Sequence, residues 1–298
     1  MDALRILVVD EEDIQAEPLR ALMASTGFLA DKETDPRKVR TRVRQTKYDI
    51  IFLDIVMPGY DGIDVLVDVK TFSPSSQVIM MSGESSRQKT ADAMRLGASD
   101  YIDKDPLESS HAYIDKVREV VRRPAVHERA ALREALIQYL WHRMQYGESQ
   151  LRGRDLEGLM KLIFESVDGF EDVETNIITG TGEEIDIEFE NHRRDPFWRD
   201  QGALIRAECK NWSGRKVGPE QYNHFHAKLK RTRGMIRLGF LISYSGFSDD
   251  VRKVVLTVAG EGPLTALIDR ADLEALIKAK DREKLLKAFV RRAIRLHS

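Results

Sequence analysis

The chain has 298 residues, about twice the length of an ordinary single domain, and its 42% hydrophobic and 32% charged residues exclude a disordered or fibrous class. Its 47 Lys and Arg against 49 Asp and Glu give a formal charge of −2, with 18 basic and 22 acidic side chains in residues 1–125 and 29 and 27 in the rest. That balance excludes a simple polybasic nucleic-acid binder and leaves room for a local basic face.

A single cysteine, Cys209, excludes an intramolecular disulfide and a Cys-based zinc site, and fits a reducing cytosol. No apolar run approaches the roughly 18–20 residues of a membrane span. The opening MDALRILVVDEED lacks the basic start and small-residue cleavage site of a secretory signal. A soluble, cytoplasmic protein with no membrane partner is expected.

Residues 1–123 alternate short apolar runs with helically spaced stretches. The runs are Ile6–Val9, Ala30–Thr34, Ile50–Leu53, Val78–Met81 and Ala98–Ile102; the stretches are Ile14–Thr26, Asp35–Thr46, Ile63–Phe72, Thr90–Leu96 and Ser110–Arg122. Such alternation predicts βαβ units and a parallel sheet with helices on both faces. The continuous apolar strands agree, because parallel strands are buried on both sides.

Residues 124–149 hold a helical pattern over Val126–Tyr146, with Leu132, Leu136, Leu140 and Met144 four apart. It is either a helix packed on the second domain or a coupling or dimerisation element. Residues 150–298 form the second domain. A first amphipathic helix there carries Leu156, Leu159, Met160, Ile163 and Phe164. Strand patterns follow at Val173–Ile178, Glu184–Glu190 and Leu204–Lys210, then a basic helix at Pro219–Arg233, an apolar strand at Leu238–Ser243 and two helices after Asp269.

Open α/β sheets bind ligands at the carboxyl ends of their strands. Asp10, Glu11, Asp54, Ser82 and Lys104 all fall at such ends. Three convergent carboxylates repel one another unless a hard cation such as Mg²⁺ neutralises them. A lysine and a hydroxyl aimed at the same point complete a site for a phosphoryl group on a carboxylate.

On Leu7–Glu11, Leu53–Gly62, Met81-Ser82-Gly83 and Gly97–Lys104, residues 4–121 resemble the receiver domain of two-component response regulators, a flavodoxin-like, doubly wound, five-stranded parallel fold. The resemblance implies that Asp54 accepts phosphate from a histidine kinase. It implies that Asp10, Glu11, Asp54 and the Val56 carbonyl hold Mg²⁺, that Ser82 and Tyr101 act as switch residues, and that Lys104 pairs with the phosphoryl group. Asp105 stands where the family usually has proline directly after the lysine.

In the second domain Glu184, Asp186 and Glu188 share one strand face, and Glu208 and Lys210 share one face of the next. If those strands pair, Asp186, Glu208 and Lys210 meet. Two carboxylates then hold Mg²⁺, with Mn²⁺ as a substitute, and the lysine positions a water for attack on a phosphodiester. A surface ion cluster without chemistry is the plain alternative.

The order Leu156-Glu157, Thr179–Asp186, Glu208-Cys209-Lys210, a helix opened by Gln221 and Ser245-Gly246-Phe247-Ser248 resembles the PD-(D/E)XK, restriction-endonuclease-like fold. More narrowly, it is similar to the Mrr-like type IV restriction family. That resemblance adds Glu157 and Gln221 to the catalytic set. The insertion 191–201 between Asp186 and Glu208 is long for the fold. It is either a flap over substrate or a sign that Glu184 or Glu188 takes the place of Asp186.

No acidic residue occurs from Gln221 to Ser248. Arg215, Lys216, Lys228, Lys230, Arg231 and Arg233 therefore form a candidate nucleic-acid-binding flank. His224 and His226, two apart on a helix, make a poor metal pair. The expectation is a phosphorylation-regulated response regulator with a metal-dependent DNA endonuclease output, dimeric when phosphorylated, in phage defence or a stress response. The alternatives are a phospho-switched DNA-binding module that cuts little and a protein-interaction output.

Overall fold

A computed structural model describes residues 3–83, 87–104, 110–122, 129–146, 152–180, 182–211, 214–232, 234–257 and 262–297. It divides into two units between Leu136 and Ile137.

The first unit runs β1 (Arg5–Val9), α1 (Asp13–Ser25), β2 (Leu29–Glu33), α2 (Pro36–Gln45), β3 (Ile50–Asp54), β4 (Val56–Met57), β5 (Tyr60–Asp61), α3 (Gly62–Phe72), β6 (Gln77–Ser82), α4 (Arg87–Arg95), β7 (Asp100–Asp103) and α5 (Ser110–Arg122). Five strands form a parallel sheet in the order β2-β1-β3-β6-β7, as the alternating pattern predicts. Every residue of β3 is buried, since helices cover both faces. On one face Ile6, Val8, Ile50, Phe52, Ile79 and Met81 pack with Ala16 and Met23 of α1 and with Val117 and Val120 of α5. Local chemistry starts the helices: Asp35 accepts from the Arg37 N–H ahead of Pro36 in α2, and Asp61 accepts from the Ile63 N–H in α3. Such caps satisfy donors that a helix start leaves unpaired.

Helix α6 (Arg129–Tyr146) contains the division. In the first unit Leu132 lies against Gly97, where an added Cβ would come within 3.0 Å of its Cδ1. In the second unit Trp141 packs edge-on to Tyr244, and Arg143 is buried on Asp155, at 2.5 and 3.0 Å.

The second unit continues with α7 (Arg152–Glu165), β8 (Phe170–Ile178), β9 (Glu184–Asn191), α8 (Pro196–Arg199), β10 (Leu204–Lys210), α9 (Pro219–Lys230), β11 (Ile236–Ser243), α10 (Asp249–Thr257), β12 (Leu264–Ile268), α11 (Arg270–Lys278) and α12 (Arg282–His297). Its sheet has the order β12-β11-β10-β9-β8. Strands β8, β9 and β10 meander antiparallel, and β10, β11 and β12 lie parallel. Phe164 of α7 stacks on Phe189 of β9 at 4.6 Å between ring centroids. Tyr222, Phe225 and Leu229 of α9 pack with Ile236 and Leu241.

The insertion 191–201 is not a loose flap. Asp195 caps α8, Trp198 is fully buried, and its indole Nε1 donates to Glu283 of α12 at 3.1 Å. Arg193 reaches the same carboxylate at 2.8 Å, and Lys287 donates to Asp195 at 3.1 Å. The Trp198 ring packs edge-on to Phe170 of β8, and its burial with the polar ties to α12 fixes the insertion in place. No helix among the described residues is long and apolar enough to cross a membrane.

Candidate functional sites

Asp10 and Glu11 directly follow β1, β3 ends in Asp54, and Lys104 follows β7. The parallel register places these ends side by side. Asp10, Glu11 and Asp54 each offer an oxygen within 4.8 Å of the others. Among the described residues this is the one such cluster of three. Lys104 Nζ donates to Asp10 Oδ2 at 2.6 Å and to Gln15 Oε1 at 3.1 Å, and lies 3.0 Å from Asp54 Oδ2. The Val56 N–H donates to Asp54 Oδ1 at 3.3 Å.

Burial lifts the Asp54 carboxyl above the usual range, and Lys104 pulls it partly back. Glu11 is lifted by burial and by the charges of Asp54 and Asp10. Its Oε2 is buried without a hydrogen-bond partner. These are oxygen donors with uncompensated charge, and a hard divalent cation fits them. Tyr101 lies half-buried on β7, in register with Met80 of the neighbouring β6. Ser82 ends β6, and its side chain lies outside the described residues, as do Asp105 and Pro106.

The second site forms where β9 and β10 pair. Register pairs Ala207 with Ile187 and Arg206 with Glu188, so Asp186 and Glu208 stand on one face. The Cys209 N–H donates to Asp186 Oδ2 at 2.7 Å, and Lys210 Nζ donates to Glu208 Oε1 at 2.7 Å. Glu208 is 2% exposed. The Asp186 carboxyl is pushed up to about 7, mainly by burial and then by the charge of Glu208, with Glu157 of α7 adding to the repulsion. The structure therefore brings Asp186, Glu208 and Lys210 together at the β9–β10 pairing, and Glu157 of α7 acts on Asp186 through its charge. Glu188 is instead paired with Arg206 at 2.6 Å, and Glu184 is exposed. A buried carboxylate pair under this repulsion suits a divalent cation.

Two expectations for α9 need correction. Gln221 spends its amide at the helix start: its Oε1 accepts from the Gly218 N–H at 3.1 Å and its Nε2 donates to Glu220 at 3.3 Å. Lys228 is not a surface phosphate contact. Its side chain is 8% exposed, and Nζ donates to Glu208 Oε1 and Oε2 at 3.1 and 3.0 Å and to the Glu184 carbonyl at 2.8 Å. The sequence does carry a signal for this. Lys228 follows Phe225 by three residues and adjoins Leu229, on the apolar side of α9.

Arg215, Lys216, Lys230 and Arg231 are exposed, Arg231 in an ion pair with Glu183. Arg233 lies outside the described residues. His224 is exposed, whereas His226 is buried beside Thr265.

Residues 6–113 match the family model described as "Response regulator receiver domain". The chain is similar to the transcriptional regulatory protein ZraR of Klebsiella oxytoca, 32% identical over 124 residues that cover 42% of this chain and 27% of that protein. It is similar to the sensory transduction protein RegX3 of Mycolicibacterium smegmatis, 31% identical over 45% of this chain and 57% of that one. Protein CcdB of Bacillus subtilis is 31% identical over 124 residues, 41% of this chain and 98% of CcdB. The chain thus spans about a quarter and about half of the first two relatives.

Proposed function

The chain belongs to the response regulator receiver domain family through residues 6–113, and from that premise we propose that it is a phosphorylation-regulated response regulator whose second unit is a metal-dependent nuclease acting on DNA. Asp54 is the phosphoacceptor. A carboxylate oxygen of Asp54 forms a bond to the phosphorus of a kinase phosphohistidine as the phosphorus–nitrogen bond breaks. Lys104, already within 3.0 Å of Asp54, pairs with the transferred phosphoryl oxygen. Asp10, Glu11 and Asp54, with the Val56 carbonyl, would hold the Mg²⁺, which supplies charge neutralisation for the incoming phosphoryl group.

In the second unit Asp186 and Glu208 would hold a divalent cation, which supplies Lewis-acid polarisation of a phosphodiester. Lys210 holds a water against the scissile phosphate, and the exposed Arg215, Lys216, Lys230 and Arg231 contact the nucleic-acid backbone. One observation carries the reading: Asp186 and Glu208 share one face where β9 and β10 pair, Asp186 accepts from the Cys209 N–H at 2.7 Å, and Lys210 donates to Glu208 at 2.7 Å. The α7-β8-β9-β10-α9-β11 order, with the short α8 inserted between β9 and β10, supports a restriction-endonuclease-like, Mrr-like assignment of this unit. On this reading residues 1–123 are the receiver, 124–149 a connecting helix and 150–298 the nuclease. A histidine kinase is the phosphodonor, and phosphorylation promotes a homodimer, which supplies two active sites for two strands.

A second reading, a phospho-switched DNA-binding module that cuts little, is favoured by the engagement of both Glu208 oxygens by lysines. Incubation of end-labelled duplex DNA with the chain in Mg²⁺ or Mn²⁺, beside a Glu208→Gln variant, separates the two. Cleavage by the parent and none by the variant supports the nuclease; equal retardation of DNA without cleavage supports the module.

A further inference from the structure

We propose that Lys228 is a positioning residue of the Asp186–Glu208 site: its ammonium fixes the Glu208 carboxylate at both oxygens and leaves a single oxygen, Oε2, with capacity for a cation. The proposal rests on the metal-dependent nuclease reading of that site.

The argument is one of hydrogen-bond capacity. A carboxylate oxygen accepts two hydrogen bonds, and an ammonium donates three. Glu208 Oε1 accepts from Lys210 at 2.7 Å and from Lys228 at 3.1 Å, so it is saturated. Oε2 accepts from Lys228 alone, at 3.0 Å. One Lys228 N–H is shared between Oε1 and Oε2 and another goes to the Glu184 carbonyl, so the ammonium is aimed at the protein rather than at a phosphate. Its side chain is 8% exposed, which also removes it from any nucleic-acid surface.

Lys228 also joins three elements. It stands on α9, Glu208 on β10 and Glu184 on β9, so one ammonium ties the helix to both strands that carry the carboxylates. Removing it leaves a 2%-exposed carboxylate with one lysine on one oxygen. Uncompensated buried charge is costly, and the carboxylate turns away from the arrangement that faces Asp186. Lys210, with 24% of its side chain exposed, stays available to the substrate side. The two lysines thus divide the work: Lys228 holds the ligand, and Lys210 meets the water.

The test uses the full chain and Mn²⁺ as the probe. Calorimetric Mn²⁺ binding is measured in an Asp54→Asn background that removes one ligand of the receiver cation site, with Asp186→Asn marking the second site. Cleavage of duplex DNA is measured with Asp54 intact. Loss of a group that orients a metal ligand typically costs about 10–100-fold in metal affinity or activity. Lys228→Met should therefore weaken Mn²⁺ binding at the Asp186-dependent site by about 10-fold or more and lower kcat by a similar or larger factor, leaving the KM for DNA within about 3-fold.

Lys228→Arg, whose guanidinium also makes two parallel bonds to a carboxylate, should recover most of both losses. If Lys228→Met does not fold, judged by loss of its thermal transition, Lys228→Arg alone decides, and failure to keep at least a tenth of parental Mn²⁺ affinity and kcat overturns the proposal. Tighter Mn²⁺ binding in Lys228→Met would make the ammonium a competitor of the cation and overturn the positioning role. A raised KM with unchanged kcat would make it a substrate contact, with the same consequence. If the parent itself shows no Mn²⁺ binding that Asp186→Asn removes, the nuclease reading fails and the proposal with it; intact binding and cleavage indifferent to Lys228 overturn the proposal alone.

Discussion

A Cβ placed on Gly62 would lie 2.1 Å from the main-chain oxygen of Asp54 and 2.7 Å from the Cα of Ile55. The first residue of α3 is thus pressed against the strand end that carries Asp54, the proposed phosphoacceptor, and its N–H donates to the Ile55 carbonyl at 2.9 Å. Only a residue without a side chain permits this approach. Gly62→Ala should force α3 away from β3, with an overpacking cost of about 1–3 kcal/mol. Phosphate uptake from acetyl phosphate in Mg²⁺ should fall with it. Thermal unfolding and labelling check both, and a variant that melts and labels like the parent would contradict the packing argument.

Asp186 makes stability depend on pH. Its carboxyl, pushed up to about 7 chiefly by burial and then by Glu208, holds its proton more tightly in the folded chain than in the unfolded one. Below about pH 4 both states are protonated and the full stability is present. As pH rises toward 7 the unfolded chain gives up its proton first, so stability is lost across that window, by at most about 4 kcal/mol. Denaturation without divalent cations, compared between the parent and Asp186→Asn at pH 5 and pH 8, should show the parent losing more stability on the alkaline side. Parallel pH profiles would contradict it.

Lys210 and the exposed basic residues should separate chemistry from affinity. Lys210→Ala removes the cation proposed to position water and should lower the cleavage rate by about 10²–10³-fold, with DNA affinity little changed. Replacing Arg215, Lys216 and Lys230 by alanine should do the reverse and flatten the salt dependence of binding, each lost phosphate contact changing the slope by about 1. Lys228 is left out of that set because it is buried on Glu208. Rate and binding measured across a salt series distinguish the two groups.

The first unit was legible because its signals are local. The three central strands β1, β3 and β6 carry continuous apolar runs, and the acids and the lysine sit directly at strand ends, so parallel order alone brings Asp10, Glu11, Asp54 and Lys104 together. The pairing of Asp186 with Glu208 was legible from two-residue alternation once the strands are neighbours. Other features depend on packing that no local pattern contains. Strand β12 carries a weak local signal, since Leu264–Ile268 is a five-residue run just behind Gly262-Pro263. Helix α10 is equally faint in the sequence, because Val251, Val254 and Val255 form a short β-branched stripe. The fate of the insertion rests on Trp198 meeting Glu283, 85 residues away. Lys228 was assigned to solvent by its charge, although its spacing from Phe225 puts it on the buried side.

If Asp54 controls cleavage at Asp186 and Glu208, plasmid cleavage in Mg²⁺ with and without acetyl phosphate reads that control out. The parent should change its cleavage rate when the phosphodonor is added, Asp54→Asn should cleave at one rate in both conditions, and Glu208→Gln should not cleave at all. Cleavage by Glu208→Gln at the parental rate, or an equal response to acetyl phosphate in Asp54→Asn, would contradict the account.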